Sequence, residues 1–254
     1  MDCSGRQPAR LPTLQTPTFA PMECIILAGG LGTRLHSVTQ DLLPKCMAPV
    51  NGKPFLYYLF QYLATQKPER VLLALGHRAA AVMEWSEKQD VSFEIEYILE
   101  KEPLGTGGAM QSALKKTTKE HIAVLNGDTF FPCNLHELYQ FHIEKNAAAT
   151  LALKQMYGYD RYGSVVMDEQ KRILQFEEKQ YTPQGFINAG VYIICKNAFM
   201  NKALPEKFSF EQDYLEAFVG EGNFYGKDAA HYFIDIGIPE DYQKAQEDFI
   251  TLFA

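Results

Sequence analysis

Apolar residues in the first half of the chain fall into short runs at 23–28, 70–75, 93–98 and 121–126, bounded by polar or turn residues. Between them, 54–65, 78–88 and 107–116 carry apolar positions at helical spacing. Strands that alternate with amphipathic helices predict an α/β fold with a mostly parallel sheet flanked by helices on both faces. Pro44 and Pro49 keep the chain irregular after the first strand, and Pro54 stands where a first helical turn tolerates it. Residues 29–53 are therefore expected to form a long ordered loop, a feature that in compact domains is usually functional.

The second half is less regular. It predicts strands at 148–154, 163–167, 172–176, 186–195 and 230–235, and helices at 134–145, 209–219 and 239–251. Its strands cluster without intervening helices, which predicts antiparallel additions to the sheet that build a smaller second lobe. There is no internal repeat, no linker composition and no hexapeptide repeat after residue 250. Residues 1–21 are polar and proline-rich and are read as a disordered leader or an expression remnant, with Met22 as an alternative start; 22–254 are read as a single domain.

Composition narrows the partners. A chain of 254 residues that is 46% hydrophobic buries a large core. Its net charge of -7 argues against a surface that coats nucleic acid, so its basic residues are expected to act locally on small anionic ligands. No apolar run approaches the roughly 18 residues of a membrane span. The five cysteines, Cys3, Cys24, Cys46, Cys133 and Cys195, are odd in number and lack a C-x-x-C pair, which suits a reducing compartment, the cytosol, better than a disulfide framework or a zinc site.

Candidate chemistry begins where the first strand empties into Leu27-Ala28-Gly29-Gly30-Leu31-Gly32-Thr33-Arg34-Leu35. Bare backbone N–H groups beside one fixed positive charge make a cradle for phosphate. The spacing excludes two better-known loops. Gly32 is followed by Thr33-Arg34 rather than Lys-Ser/Thr, so this is not a P-loop. Leu35 occupies the place of the third glycine of a dinucleotide fingerprint, and the acid expected about twenty residues on is missing, so an NAD-dependent oxidoreductase drops out.

Four further groups are worth marking. Asn126-Gly127-Asp128 closes an apolar strand, where a carboxylate meets ligands at the carboxyl end of a sheet and suits Mg²⁺ beside phosphate; a turn-capping role explains it equally well. Asp235 ends another apolar run and gains value only if it pairs with the first acid. Lys45, stiffened by Pro44, is either a phosphate neutraliser or an ordinary surface lysine. Glu100-Lys101-Glu102-Pro103-Leu104-Gly105-Thr106-Gly107-Gly108 is a second glycine-rich turn whose backbone permits approach to a flat ring, or a tight helix start without a ligand.

Glu177-Glu178-Lys179 and Ile187-Asn188-Ala189-Gly190 end and begin strands of the second lobe and offer groups for hydroxyls and a phosphate. Each also has an ordinary surface or turn explanation. The histidines show neither H-x-x-x-H nor H-E-x-x-H, and there is no G-x-S-x-G elbow, which removes zinc-hydrolase and acyl-transfer readings. Phe55, Tyr57, Tyr58, Phe60 and Tyr62 are read mainly as core. Phe131 and Tyr225 are read as exposed aromatics, candidates for a homodimer interface.

Taken in order, LAGGLGTRL, LLPKCMAPV, EPLGTGGA, LNGDTFF, FEEK, INAGVY and YFIDIGIPEDY resemble the sugar-1-phosphate nucleotidyltransferases from residue 23 to about 250. Within that family, the wording around Pro49, Pro103, Arg161-Tyr162-Gly163 and Lys207-Phe208-Ser209-Phe210-Glu211 resembles the branch of guanylyltransferases that act on a heptose 1-phosphate. The resemblance implies a Rossmann-like nucleotidyltransferase fold that joins a nucleoside triphosphate to a sugar 1-phosphate and releases pyrophosphate. It implies that Leu27, Ala28, Gly29, Gly30, Gly32, Thr33, Glu100, Gly105 and Thr106 line the nucleotide, while Arg34 and Lys45 face phosphates. It further implies that Asp128 and Asp235 hold Mg²⁺, and that Asn126, Glu178, Lys179, Asn188 and Gly190 contact the sugar phosphate.

The family more often has Pro-Lys-Pro where this chain has Pro44-Lys45-Cys46, which changes loop stiffness and leaves the charge. A sugar phosphate is already mostly anionic at neutral pH, so in-line attack on the α-phosphorus needs positioning and charge neutralisation rather than a strong base. GTP with a heptose or mannose phosphate, and UTP, CTP or dTTP with another sugar phosphate, stay open as substrate pairs. A catalytically silent sugar-nucleotide sensor of the same fold is disfavoured, because Arg34, Lys45, Asp128 and Asp235 are all present.

Overall fold

A computed structural model describes residues 21–30, 43–229 and 232–253. Gly32, Thr33 and Arg34, and nearly all of the leader, lie outside the described residues. The main sheet has seven strands among them: β1 (Glu23–Leu27), β2 (Arg70–Leu75), β3 (Glu94–Leu99), β4 (His121–Asn126), β5 (Ala149–Tyr159), β6 (Thr182–Cys195) and β7 (Phe224–Asp228). In space they are ordered β7-β5-β6-β4-β1-β2-β3. All pairings are parallel except the two made by β6, so β6 alone runs against the others. The helices are α1 (Phe55–Gln66), α2 (Ala79–Ser86), α3 (Gly105–Leu114), α4 (Leu135–Glu144), α5 (Lys196–Met200) and α6 (Pro239–Leu252).

Alternation along the strands decides which helix packs where. Cys24 and Ile26 of β1 face a core closed by Leu56 and Phe60 of α1, Val82 of α2, Leu138 of α4 and Phe249 of α6. Ile25 faces the opposite core, with Met110 and Leu114 of α3, Phe199 of α5 and Tyr214. Phe55, Tyr58, Phe60 and Tyr62 are buried, as expected of core residues. Tyr214 belongs to a π-helix, Phe210–Glu216, capped by the Ser209 side chain; helix was expected at 209–219, but not this wider winding.

Three expectations are corrected. Of the strand expected at 230–235, residues 230 and 231 lie outside the described residues and the rest holds only a two-residue strand, Ile234–Asp235; the sheet edge is instead β7, pairing with β5 from Phe224↔Ala149 to Asp228↔Leu153. Asn188 and Gly190 do not begin a strand but lie within β6, at a register shift between Asn188 and Tyr192. Phe131 is not an exposed aromatic: it is 1% exposed and packs against Phe233, because the chain turns inward after the strand Thr129–Phe130. Tyr225 is only partly exposed.

The smaller lobe grows from the length of β5 and β6. Their pairing continues from Ile194↔Ala149 out to Thr182↔Tyr159, and the short antiparallel pair Val165–Met167 with Ile173–Phe176 joins them through the Ser164↔Ile187 bridge. No helix among the described residues is long and apolar enough to cross a membrane.

Candidate active site

Strand order reverses at β1, which has β2 on one side and β4 on the other. In open α/β sheets such a reversal leaves a crevice beyond the carboxyl ends of the strands. Here Leu27 is in register with Asn126, and the two strands open there into Ala28-Gly29-Gly30 and Gly127-Asp128. A cleft of about 410 Å³ occupies this place, within the range of small-molecule sites. Its walls include Leu27, Ala28, Gly29, Gly30, Lys45, Glu100, Gly105, Thr106, Asn126 and Asp128, all expected from sequence. Cys46, Pro103, Ala109 and Gly127 complete them.

A local pairing brings the two distant acids together. Thr129–Phe130 pairs antiparallel with Ile234–Asp235, with Asp235 opposite Thr129, and the Ile236 N–H donates to the Asp128 carbonyl at 3.0 Å. Lys45 reaches this pair from a 3₁₀ turn, Lys45–Met47, which Pro44 opens in an extended conformation and the buried Cys46 and Met47 fasten to the core. Its Nζ lies 2.5 Å from Asp128 Oδ2 and 3.4 Å from Asp235 Oδ1, and its side chain is 11% exposed. The surface-lysine alternative is thereby removed.

The electrostatics of this trio are incomplete. Burial, and then the neighbouring charge of Asp128, push the Asp235 carboxyl above its ordinary range, against Lys45 and a 2.7 Å hydrogen bond from the Gly237 N–H. Two carboxylates share one ammonium, so a cation is favoured beside them. Asp128 lines the cleft and Asp235 stands behind it, on the far side of the shared Lys45 ammonium; two carboxylates so placed fit a hard divalent ion, which takes one or two carboxylates and completes its shell with phosphate oxygens and water. No group of three or more His, Cys, Asp or Glu side chains suited to a metal occurs among the described residues.

At the other end of the cleft, Glu100 follows β3. The Leu104 N–H donates to its Oε2 at 3.0 Å, and burial raises its carboxyl above the usual range. Gly29 passes so close to Glu100 Oε1 that a Cβ at that position would collide with it. Helix α3 begins at Gly105, two residues earlier than the apolar spacing suggests. Thr106 is held by residues that sequence reasoning did not assign to the site: its Oγ1 donates to Glu211 Oε2 at 2.8 Å and accepts the Phe210 N–H at 2.9 Å. In the sequence the Ser209–Glu211 stretch stands only as a helix start and as part of the resemblance, with no site role.

Of the sugar-side residues expected from sequence, Asn126 alone lines the cleft; Asn188, Gly190, Glu178 and Lys179 do not. Asn188 and Gly190 sit in the register shift of β6, beside Asn126. Gly190 has φ +71°, and a Cβ there would lie 2.8 Å from Asn126 Nδ2, so both backbone conformation and space require glycine. Glu178 and Lys179 are exposed on the turn before β6 and do not line the cleft. Glu178 faces Glu216, whose carboxyl is raised by burial and then by Glu178 and Glu211.

Comparison with known proteins gives concordant results. A family model described as Nucleotidyl transferase matches residues 23–251. The chain is 47% identical over 227 residues to D-glycero-alpha-D-manno-heptose 1-phosphate guanylyltransferase of Aneurinibacillus thermoaerophilus, covering 89% of this chain and 98% of that protein. It is 46% identical over 227 residues to the protein of the same name from Campylobacter jejuni, covering 87% of this chain and 97% of the relative. Among solved structures, HddC from Yersinia pseudotuberculosis complexed with GMP-PN superposes with a TM-score of 0.81 at 38% identity, covering 90% of this chain and 99% of that one.

Proposed function

We propose, from the premise that this chain belongs to the nucleotidyl transferase family, that it transfers GMP from GTP to D-glycero-α-D-manno-heptose 1-phosphate and releases pyrophosphate. The observation that carries the reading is the trio Lys45, Asp128 and Asp235 at the reversal of strand order, of which Lys45 and Asp128 line the cleft. A phosphate oxygen of the sugar 1-phosphate attacks the α-phosphorus in line. The new P–O bond forms as the bond to the bridging oxygen breaks, and the electron pair leaves on pyrophosphate. Because the attacking phosphate is largely dianionic at neutral pH, no residue has to remove a proton.

Lys45 supplies a positive charge beside the reacting phosphates, and Arg34, from the first glycine loop, is assigned to the departing pyrophosphate. Asp128 and Asp235 are assigned to a divalent cation, Mg²⁺, which when bound neutralises phosphate charge. Glu100 supports the choice of base. A carboxylate accepts two hydrogen bonds, and guanine alone among the common bases offers N1–H and N2–H₂ side by side on one edge. Asn188, Gly190 and Asn126 are assigned to the sugar phosphate, with Glu178 and Lys179 at its outer rim. The close guanylyltransferase relatives support the GTP and heptose assignment, and the cytosol is its assigned compartment.

Pyrophosphate release is to be measured across a matrix of nucleoside triphosphates and sugar 1-phosphates with Mg²⁺. The expected maximum is GTP with D-glycero-α-D-manno-heptose 1-phosphate. Silence of that pair alongside release from another rejects the substrate assignment; release with mannose 1-phosphate instead keeps guanine and changes the sugar.

A further inference from the structure

The Lys45 ammonium touches both acids of the site at once. Nζ lies 2.5 Å from Asp128 Oδ2 and 3.4 Å from Asp235 Oδ1, and the side chain is 11% exposed. The surroundings are built to that arrangement. The Gly237 N–H donates to Asp235 Oδ1 at 2.7 Å and Thr129 Oγ1 donates to Asp128 Oδ1 at 3.2 Å, so each carboxylate is tied from behind. A Cβ at Gly237 would lie 2.8 Å from Asp235 Oδ1 and 3.0 Å from Lys45 Nζ, so glycine keeps room for carboxylate and ammonium together.

A divalent cation needs the same oxygens. Mg²⁺ binds carboxylate oxygens at about 2.0–2.1 Å and tolerates little distortion. Held by both acids, it would compete for the space of the ammonium, against a like charge in a partly buried setting. The lysine is the partner free to leave. Its backbone is fixed, since the Met47 N–H donates to the Pro44 carbonyl at 2.8 Å and the Ala48 N–H to the Lys45 carbonyl at 3.0 Å, but its four-carbon stem is flexible. Lys45 lines the cleft, so the ammonium has that space to enter. The one other carboxylate among the described lining residues besides Asp128 is Glu100, whose Oε2 already accepts the Leu104 N–H. A displaced ammonium therefore lacks a partner until an anion supplies one.

We propose that Lys45 and the divalent cation exchange places: the lysine holds the two carboxylates until a triphosphate draws its ammonium into the cleft and the cation takes over the acids. The assignment of Asp128 and Asp235 to a divalent cation, and of the cleft to a nucleotide, is the premise on which it rests. Cation and nucleotide then bind cooperatively, because each favours the arrangement that the other requires.

Mn²⁺ is the probe, since electron paramagnetic resonance reads its free concentration without turnover. In the absence of nucleotide, Lys45→Met is expected to bind Mn²⁺ about tenfold more tightly than wild type, and Asp128→Asn added to Lys45→Met to abolish the gain. Where Lys45→Met fails to fold, Lys45→Gln carries the same test. Mn²⁺ binding no tighter than wild type, or a gain that survives Asp128→Asn, overturns the proposal. Anomalous diffraction separates exchange from repulsion at a distance. In wild-type crystals with Mn²⁺ and GTP but no sugar phosphate, manganese is expected on Asp128 and Asp235, with Lys45 Nζ off both carboxylates and against a phosphate oxygen. Manganese absent from the acids, or bound there with Nζ still on either of them, overturns the proposal. Should the wild-type enzyme release no pyrophosphate with any substrate pair, the premise fails by itself, while the Mn²⁺ titration still decides whether lysine and cation compete.

Discussion

The two ends of β1 solve the same electrostatic problem in opposite ways. At the amino end, Glu23 is 2% exposed and completely matched: it accepts from the Thr118 and Lys119 N–H groups at 2.7 and 2.9 Å, and Arg70 Nε donates to it at 3.0 Å. Burial alone would raise its carboxyl, but the Lys119 N–H, Arg70 and the Thr118 N–H outweigh it and hold the carboxyl below its ordinary range. At the carboxyl end, about 13 Å away along four residues of strand, Asp128 and Asp235 divide one lysine between them and Asp235 is pushed upward. The matched end has nothing left to offer a ligand. The mismatched end is stabilised by whatever brings positive charge, which is what a phosphate-transfer site requires of its acids.

Removing charge therefore has opposite consequences at the two ends. Asp128→Asn is expected to lower turnover about 10³-fold, with the circular dichroism spectrum and Tm retained, and Asp235→Asn to do the same with a Tm equal to or above wild type. The sign follows from the raised carboxyl: the fold disfavours the ionised form, so an uncharged amide relieves a cost present at neutral pH. Wild-type turnover in either variant at saturating Mg²⁺ would break the functional half of the comparison. At the matched end, Glu23→Gln is expected to cost about 2 kcal/mol, because a buried amide cannot accept from both the Thr118 and Lys119 N–H groups and Arg70, which keeps Glu96, read from urea unfolding. Its KM values should stay within about twofold of wild type; lost activity with unchanged stability would show that the amino end is no mere brace.

Much of this was legible in sequence, and the exceptions share a cause. Long elements with clear periodicity, such as 70–75, 121–126 and α1, were readable because several residues repeat one signal. The pairing of Asp128 with Asp235 was inferable only as two acids at strand ends. The two-residue strands that join them, Thr129–Phe130 and Ile234–Asp235, are too short to have a period. β7 was missed because Phe-Tyr-Gly-Lys-Asp contains a glycine and two charges, and its pairing with β5 lies 75 residues away in register. Tyr192 reads as core in an apolar run, and it is core; that its hydroxyl accepts from Asn188 Nδ2 depends on the β6 register shift, which has no sequence signal. Likewise Glu211 became visible as an anchor of Thr106 only once the π-helix was placed against α3.

A smaller effect tests whether the mismatch at the open end includes Glu100, whose carboxyl burial also raises. Glu100→Gln keeps the shape and exchanges one acceptor for a donor, which opposes the N–H pair of guanine. Wild-type kcat/KM is expected to favour GTP over ITP, which lacks the N2 amine, by about tenfold, and Glu100→Gln to reduce that preference to about twofold. Tm should not fall. An unchanged GTP to ITP ratio in the variant would remove Glu100 from base recognition and leave it as a brace for Leu104.

A last effect, on stability alone, concerns how the closed end manages a group that cannot be matched. His121, at the amino end of β4, lies with its Nδ1 3.0 Å from His142 Nε2, and His142 Nδ1 lies 2.9 Å from Thr150 Oγ1. Burial, and then the proximity of His121, lower the His142 pKa to about 3, so the fold keeps this imidazole neutral. The unfolded chain takes up a proton near the ordinary value, about 6.5. Stability from this group is thus fully present above that pH and is lost as pH falls toward 3. Between pH 7 and 5 the loss from His142 alone is about 2 kcal/mol. His142→Gln is expected to be less stable than wild type at pH 7, for want of the ring, but to lose less on going to pH 5. The difference between the two urea midpoints at each pH isolates the titration from the lost packing. Equal losses in the two proteins would mean that His142 is already free to take a proton in the folded state, and that the closed end tolerates unmatched charge as readily as the open one.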